Sequence, residues 1–141
     1  MQDSGAFATG IDLEKEAIDY ARTNYPGPEY ILADVEKYTA AYDWVVSFET
    51  IEHLKEPENA LNRFRDSKNL IVSTPNQLFY PFDPKKFEGD RFPHIKHYTP
   101  MELEELLYLC GWDVVKKYCQ PLKTSRVVSG VDGMFIIFLC R

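Results

Sequence analysis

An apolar run that leads directly into acidic and imidazole side chains constrains this sequence more than any other feature. Residues 44–48 have the composition of a buried strand, and Glu49, Glu52 and His53 follow it. A helical turn after the strand would bring these side chains to one face, since positions i, i+3 and i+4 are neighbours. Open α/β sheets bind ligands at the carboxyl ends of their strands. Carboxylates with one imidazole suit Mg²⁺ or Mn²⁺ better than a structural zinc, although a solvated helix start has the same acidic pattern.

Strand and helix patterns alternate along the chain, which predicts one α/β domain over residues 1–141 with a largely parallel sheet. The predicted strands are residues 7–11, 29–32, 43–48 and 70–72, with helices at 14–23 and 57–64 and a helical turn at 35–38. Residues 73–76 are predicted as a turn. Two later strands, residues 112–118 and 134–140, are predicted to form an antiparallel pair across the loop of residues 120–133.

The segment of residues 77–98, called the lid segment below, is rich in Pro, Phe and charge. Loops of that length are usually functional or disordered. Aromatic residues favour a packed lid in this case: Phe79, Tyr80, Phe82, Phe87 and Phe92. A helix follows, because Thr99, Pro100 and Glu102 have the residue types of a capping box with proline at the first helical position.

The composition is that of an ordinary soluble protein, with 45% hydrophobic and 27% charged residues. A net charge of −6 argues against nucleic acid, whose binding depends on phosphate neutralisation, and favours a small-molecule substrate. Three widely spaced cysteines indicate a reducing compartment. The sequence has no signal-peptide pattern and no apolar run of membrane-spanning length, so we expect a cytoplasmic protein.

Seven short motifs together resemble the class I S-adenosylmethionine-dependent methyltransferases, over about residues 9–140. The motifs are Gly10-Ile11-Asp12-Leu13, Glu16-Ala17-Ile18, Ala33-Asp34-Val35, Phe48-Glu49-Thr50-Ile51-Glu52-His53-Leu54, Ser73-Thr74-Pro75-Asn76, His97-Tyr98-Thr99-Pro100 and Cys110-Gly111-Trp112. Each motif is weak alone, and their order and spacing carry the resemblance. It implies a Rossmann-like α/β sheet, mostly parallel, with an antiparallel C-terminal strand pair.

The resemblance also implies contacts to S-adenosylmethionine. Asp12 matches the residue that hydrogen-bonds the ribose hydroxyls, and Asp34 matches the acceptor of the adenine amino group, with Val35 packing on the ring. Ser47 and Phe48 would lie beside the methionine part of the cofactor. The implied cofactor-binding residues are therefore Asp12, Leu13, Asp34, Val35, Ser47 and Phe48. For Asp34, a turn or helix-capping role is the alternative.

The Glu-x-x-Glu-His arrangement resembles the small-RNA 3′-terminal 2′-O-methyltransferases and the O-methyltransferases of ubiquinone biosynthesis. In the former, these side chains and a later histidine hold a divalent cation, so Mg²⁺ or Mn²⁺ is implied here. His94 and His97 are the candidates for the later histidine, and we favour His94. The implied metal ligands are Glu49, Glu52, His53 and His94, with Glu52 and His53 as catalytic residues. The cation would lower the pKa of an acceptor hydroxyl.

The sequence departs from this family at its N-terminus. The enzymes begin with a strand and a Gly-rich turn that approaches the cofactor, and only six residues precede Phe7 here. We therefore expect a truncated domain with the first strand missing, or a fragment of a longer product. A partner chain or a second copy would then cover the exposed strand edges, or the cofactor pocket would be lost.

Three functions follow from these patterns. The first is a methyltransferase that transfers a methyl group to a hydroxyl of a small molecule. The second is a catalytically impaired relic of the same fold that serves as a binding or assembly module. A zinc hydrolase that uses His53, His94 and His97 is disfavoured, because these residues lack the HExxH spacing of one helix.

Overall fold

The computed structural model describes residues 5–122 and 124–141. Within it the chain forms two compact units, residues 1–39 and residues 40–141. The single domain that the sequence predicts over residues 1–141 stays a prediction. Across the described ranges, the structure has no helix with the length and apolarity needed to cross a membrane.

The first unit is a strand–helix–strand motif. Its elements are β1 (Thr9–Asp12), α1 (Lys15–Asn24) and β2 (Glu29–Leu32), and β1 and β2 pair in parallel with Asp12 opposite Leu32. Helix α1 buries Ile18. Gly10 leaves room for the Tyr30 ring of β2, because a Cβ at this position would lie 2.9 Å from that ring. A helix between two parallel strands is the connection that parallel pairing requires.

The second unit is built on a five-stranded mixed sheet. Its strands are β3 (Val45–Phe48), β4 (Leu70–Pro75), β5 (Val114–Gln120), β6 (Val128–Ser129) and β7 (Phe135–Cys140), in the spatial order β3-β4-β7-β5-β6. Strands β3 and β4 are parallel, whereas β7 runs antiparallel to both β4 and β5. The antiparallel C-terminal pair predicted from the sequence is therefore confirmed. The short strand β6 lies inside the predicted loop of residues 120–133.

The prediction of a turn over residues 73–76 is wrong at its first three positions. Strand β4 continues to Pro75, because β7 pairs along its whole length and places Ile136 opposite Thr74 and Phe135 opposite Pro75. Strand β3 pairs with β4 only as far as Ser73, so the N–H that Pro75 lacks removes no hydrogen bond between these two strands. The extension places Ser73 and Thr74 in the sheet, next to the end of β3.

The second unit has two helices, α2 (Pro57–Arg63) and α3 (Pro100–Leu109), and both contribute buried residues to its core. The predicted capping box is confirmed, since the Thr99 hydroxyl accepts from Glu102 N–H and the Glu102 carboxylate accepts from Thr99 N–H. The core between helices and sheet is apolar, with one polar anchor where Trp112 Nε1 donates to the carbonyl of Leu61 at 3.2 Å. Its buried residues include Leu61, Val72, Leu103, Leu107, Trp112 and Phe138.

Candidate functional site

A short 3₁₀ turn, Ile51–His53, follows β3 and carries the acidic motif. Glu49 precedes it with a φ of 49°, the only non-glycine residue with positive φ in the described part of the chain. This left-handed conformation is uncommon for a residue with a side chain. Ser73 of the neighbouring strand holds it: its carbonyl and hydroxyl oxygens both accept from Glu49 N–H at 3.2 Å, and its hydroxyl donates to Glu49 Oε1 at 2.7 Å.

Glu52 is fully buried at the centre of the turn. Its Oε2 accepts from the Thr74 hydroxyl at 3.1 Å, whereas its Oε1 has no hydrogen-bond partner. Burial raises the pKa of Glu52 to about 7 and that of Glu49 also to about 7. A buried carboxylate oxygen without a partner is costly, and a bound cation would remove that cost.

Two imidazoles lie beside this carboxylate. One ligand atom from each of Glu52, His53 and His94 can be chosen so that all three atoms lie within 4.8 Å of one another. The rings of His53 and His94 meet edge to face with centroids 4.5 Å apart. His53 Nδ1 lies 3.2 Å from the carbonyl of Pro93. Because a carbonyl only accepts, Nδ1 carries the proton and the Nε2 lone pair of a neutral ring is available to a ligand.

His97 lies behind His94 and is buried. Its Nε2 is 2.7 Å from His94 Nδ1, and its Nδ1 is 2.7 Å from the carbonyl of Tyr80. Desolvation lowers the pKa of His94 to about 4 and also lowers the pKa of His97. Both rings are therefore neutral at pH 7, the state in which an imidazole binds a metal.

The lid segment packs onto the site instead of extending into solvent. Its ends are joined by a hydrogen bond from Gln77 N–H to the carbonyl of Tyr98 at 2.9 Å, and Ile95 N–H donates to the carbonyl of Glu52 at 2.7 Å. The Phe87 ring stacks on His94 with centroids 4.2 Å apart and an interplanar angle of 11°. Tyr80 and Phe82 surround His97, while Phe79 and Phe92 are half exposed.

The sequence-predicted metal ligands are thus largely brought together. Glu52, His53 and His94 form one cluster, as the choice of His94 over His97 requires. Glu49 is not part of that cluster, and its carboxylate accepts a hydrogen bond from the Ser73 hydroxyl. Its role as a fourth ligand stays a prediction, as do the catalytic roles of Glu52 and His53.

The predicted nucleoside-binding residues of the first unit lie at the carboxyl edge of the β1–β2 pair. Asp12 is exposed, and its Oδ1 accepts from Glu14 N–H at 2.8 Å. Asp34 accepts from Glu36 N–H at 3.0 Å and pairs with Lys37, which lowers its pKa. Two apolar residues accompany these carboxylates, Leu13, which is exposed, and Val35, which is half-buried.

The remaining predicted cofactor residues lie in the second unit. Ser47 and Phe48 are the last two residues of β3, and Phe48 pairs with Ser73 of β4. The Phe48 side chain is 56% exposed, so its ring is accessible to a ligand. Binding of the methionine part of a cofactor by these two residues stays a prediction.

Sequence reasoning missed the supporting residues: Ser73, Thr74 and the carbonyl of Tyr80. The run Ile71-Val72-Ser73-Thr74 contains the signal for the first two, because β-branched residues continue past the predicted strand end. No local pattern marks the Tyr80 carbonyl, since its contact with His97 depends on the path of the lid segment.

A family model for a methyltransferase domain matches residues 1–67. A probable S-adenosylmethionine-dependent methyltransferase of Mycolicibacterium smegmatis is 29% identical over 112 residues, which are 74% of this chain and 43% of that protein. Both matches support a class I S-adenosylmethionine-dependent methyltransferase family for this chain. Its matched residues span about two fifths of that relative's length.

Solved structures show the same fold. A methyltransferase from Thermotoga maritima, described as a possible histamine N-methyltransferase, superposes with a TM-score of 0.79 at 19% identity, covering 94% of this chain and 72% of that one. A 1,6-didemethyltoxoflavin N1-methyltransferase from Burkholderia thailandensis, with its substrate and S-adenosylhomocysteine bound, superposes with a TM-score of 0.67 at 15% identity and coverages of 99% and 63%. These likenesses confirm the Rossmann-like α/β fold that the sequence predicts.

Proposed function

We propose that this chain acts in an S-adenosylmethionine-dependent methyltransferase that methylates a hydroxyl of a small molecule, with a divalent cation at Glu52, His53 and His94. The observation that carries the proposal is the unpaired, buried Oε1 of Glu52 beside the imidazoles of His53 and His94. These groups follow a strand whose carboxyl end is the usual position for ligands in this class of sheet.

The donor set fits a transition-metal cation. One carboxylate and two imidazoles suit Mn²⁺ better than Mg²⁺, which prefers oxygen ligands and retains its waters. The hydrogen bond from His53 to the Pro93 carbonyl leaves the Nε2 lone pair available, and burial keeps Glu52 away from competing water. Mn²⁺ is therefore the cation that we expect to bind most tightly of the two.

The residues of the first unit fit a nucleoside. Asp12 presents an exposed carboxylate at the carboxyl end of β1, and a carboxylate accepts from both hydroxyls of a ribose diol. Asp34 lies at the same edge, two residues after β2, where it could accept from an adenine amino group. The S-adenosylhomocysteine in the Burkholderia methyltransferase supports this cofactor class.

The chemistry divides between bound groups and protein residues. S-adenosylmethionine supplies the methyl group, and the cation lowers the pKa of the acceptor hydroxyl. Glu52, His53 and His94 would hold the cation beside the acceptor hydroxyl. Glu49, whose pKa burial raises to about 7, is suited to receive the hydroxyl proton near neutral pH. The aromatic lid segment excludes water from this reaction.

The acceptor class rests on charge and on the lid segment. A net charge of −6 opposes a polyanionic acceptor, and the aromatic residues of the lid segment favour a planar or apolar molecule. The proposed cation would add a preference for two adjacent oxygens that can both bind it. A catechol meets this description and serves as the test acceptor. Association with a partner chain or a second copy stays a prediction.

The experiment is methyl transfer from labelled S-adenosylmethionine to catechol, run with Mn²⁺, with Mg²⁺ and with a chelator. Glu52→Gln is compared with the matched control Glu105→Gln, which changes an exposed carboxylate on α3. We expect transfer that the chelator and Glu52→Gln abolish and Glu105→Gln leaves intact. Transfer that continues in the chelator would refute the metal site, and failure to bind S-adenosylmethionine in calorimetry would refute the methyltransferase assignment.

A further inference from the structure

A chain of two hydrogen bonds runs from the backbone of the lid segment to a proposed metal ligand. The Tyr80 carbonyl, His97 and His94 are joined in that order, with 2.7 Å at each of the two contacts. We propose that His97 is a positioning residue that fixes the proton of His94 on Nδ1, so that the Nε2 lone pair is available to the cation. The position of the proton follows from the hydrogen bonds, whereas its use in metal binding rests on the proposed function.

The direction of the chain follows from its first member. A carbonyl oxygen only accepts, so His97 Nδ1 carries a proton whatever the charge of the ring. The Nε2 atom of a neutral His97 then has only a lone pair to offer, and His94 Nδ1 must donate to it. The reverse direction requires a doubly protonated, charged His97.

The surroundings of His97 disfavour that charged form. The side chain is 2% exposed, and its ring lies against Tyr80, Phe82 and Phe87 with centroid distances of 5.0, 5.3 and 5.9 Å. A charged group in such an apolar setting loses its hydration without gaining a carboxylate partner. The described residues in contact with it are rings and a backbone carbonyl, so the neutral form and the stated direction hold.

The orientation of His94 is fixed by packing as well as by this hydrogen bond. Phe87 stacks on one side of the ring at 4.2 Å, and His53 meets it at 4.5 Å. A half-turn of the His94 ring about its Cβ–Cγ bond would place the carbon Cδ2 where Nδ1 lies and would break the hydrogen bond to His97. Metal-binding histidines usually donate their second ring N–H to a carboxylate, a carbonyl or water for the same reason, and here another imidazole takes that place.

The backbone keeps the two histidines in register. They are three residues apart, and the intervening Ile95 donates its N–H to the carbonyl of Glu52 at 2.7 Å. The same stretch therefore contributes a ligand, its positioning residue and a backbone link to the buried carboxylate. The spacing His-x-x-His in this segment is explained by the arrangement without assigning both histidines to the cation.

The test measures the proton position directly. Two-bond ¹⁵N–¹H correlation spectra of the metal-free protein distinguish a ring protonated on Nδ1 from one protonated on Nε2. We expect His94 to carry its proton on Nδ1 in the wild type and to become a mixture in His97→Leu, which removes the acceptor. His97→Gln keeps an amide oxygen as acceptor and is expected to restore the Nδ1 form.

Calorimetric titration with Mn²⁺ provides the second measurement. We expect about 10- to 100-fold weaker binding in His97→Leu, as is typical when the partner of a metal-binding histidine is removed, and a smaller loss in His97→Gln. A wild-type His94 protonated on Nε2, or an unchanged proton position in His97→Leu, overturns the inference. The wild-type spectrum decides the matter even if the leucine variant does not fold.

The two proposals fail separately. A wild-type protein with His94 protonated on Nδ1 and no Mn²⁺ binding would support the role of His97 and overturn the proposed metal site. Mn²⁺ binding that is equally tight in the wild type and in a folded His97→Leu variant would support the metal site and overturn the positioning role.

Discussion

The acidic side chains at the strand ends of the two units are stabilised in opposite ways. Asp12 and Asp34 each accept from a backbone N–H two residues further along the chain, and Asp12 remains exposed. Glu52 is fully buried, with one oxygen on a hydroxyl of a neighbouring strand and the other unpaired. The first arrangement is formed by local chain chemistry, whereas the second needs the whole sheet.

The difference shows which carboxylates indicate a ligand on structural grounds. A carboxylate whose hydrogen bonds are made within its own turn needs no further partner, so its geometry alone does not indicate a ligand. A buried polar atom without a hydrogen bond costs roughly 1–3 kcal/mol. The folded sheet keeps Glu52 Oε1 buried without a hydrogen bond, and a bound cation would offset this loss of stability.

The largest effect is expected from exchanging the two kinds of carboxylate for amides. Glu52→Gln should weaken Mn²⁺ binding at least about 100-fold, because a charged ligand is lost, and leave S-adenosylmethionine binding within about twofold. Asp12→Asn should have the opposite effect: it should weaken S-adenosylmethionine binding about tenfold and leave Mn²⁺ binding unchanged. Calorimetry with each ligand measures both. Loss of both ligands in either variant would contradict the division of roles.

The next effect is a dependence of stability on pH that differs between the two regions. The pKa of Glu52 rises from 4.5 to about 7 on folding, so its contribution is complete below pH 4.5 and is lost as pH rises through 7. In metal-free protein, the free energy of unfolding of Glu52→Gln relative to that of the wild type should therefore rise by roughly 3 kcal/mol between pH 4 and pH 8. This follows from about 1.4 kcal/mol per pKa unit. Urea denaturation at several pH values measures the gain.

Asp34 should show the opposite sign. Its pKa is lowered on folding by Lys37 and by Glu36 N–H, so its contribution is present above its ordinary pKa and lost as pH falls through the folded value. Asp34→Asn should then lose stability relative to the wild type as pH rises through that range. An exposed pair is screened by solvent, so the trend is small. The same sign for Asp34→Asn and Glu52→Gln would contradict the comparison.

A smaller effect is expected at the strained residue that precedes the turn. In metal-free protein, Glu49→Gly should be about 1–2 kcal/mol more stable than Glu49→Ala, because glycine adopts a φ of 49° without a steric penalty. Both variants lose the hydrogen bond from Ser73 equally, so the difference isolates backbone strain. Equal thermal denaturation midpoints would show that the backbone relaxes at this site.

The parts of the molecule that sequence predicts well are those determined within a few residues. The start of α3 depends on the capping box of Thr99 and Glu102 and on Pro100 at the first helical position, so a local pattern predicts it correctly. The end of β4 depends on β7, about 60 residues later, so the local Ser-Thr-Pro-Asn pattern favoured a turn instead. The choice between the two lid histidines was made by comparison with a family, and the separate role of His97 emerges only from its contact with Tyr80.

The way the lid segment is attached has a consequence for how such proteins diversify. Its fixed points are Gln77 and Tyr98 at the ends, Ile95 on Glu52 and Phe87 on His94. Between Phe87 and Pro93 the chain is exposed, and Gly89, whose φ of 87° favours glycine, has open space around it. Insertions at this tip would reshape the entrance for new acceptors while the inherited chemistry beneath remained intact, and a fluorophore attached there would report on acceptor entry.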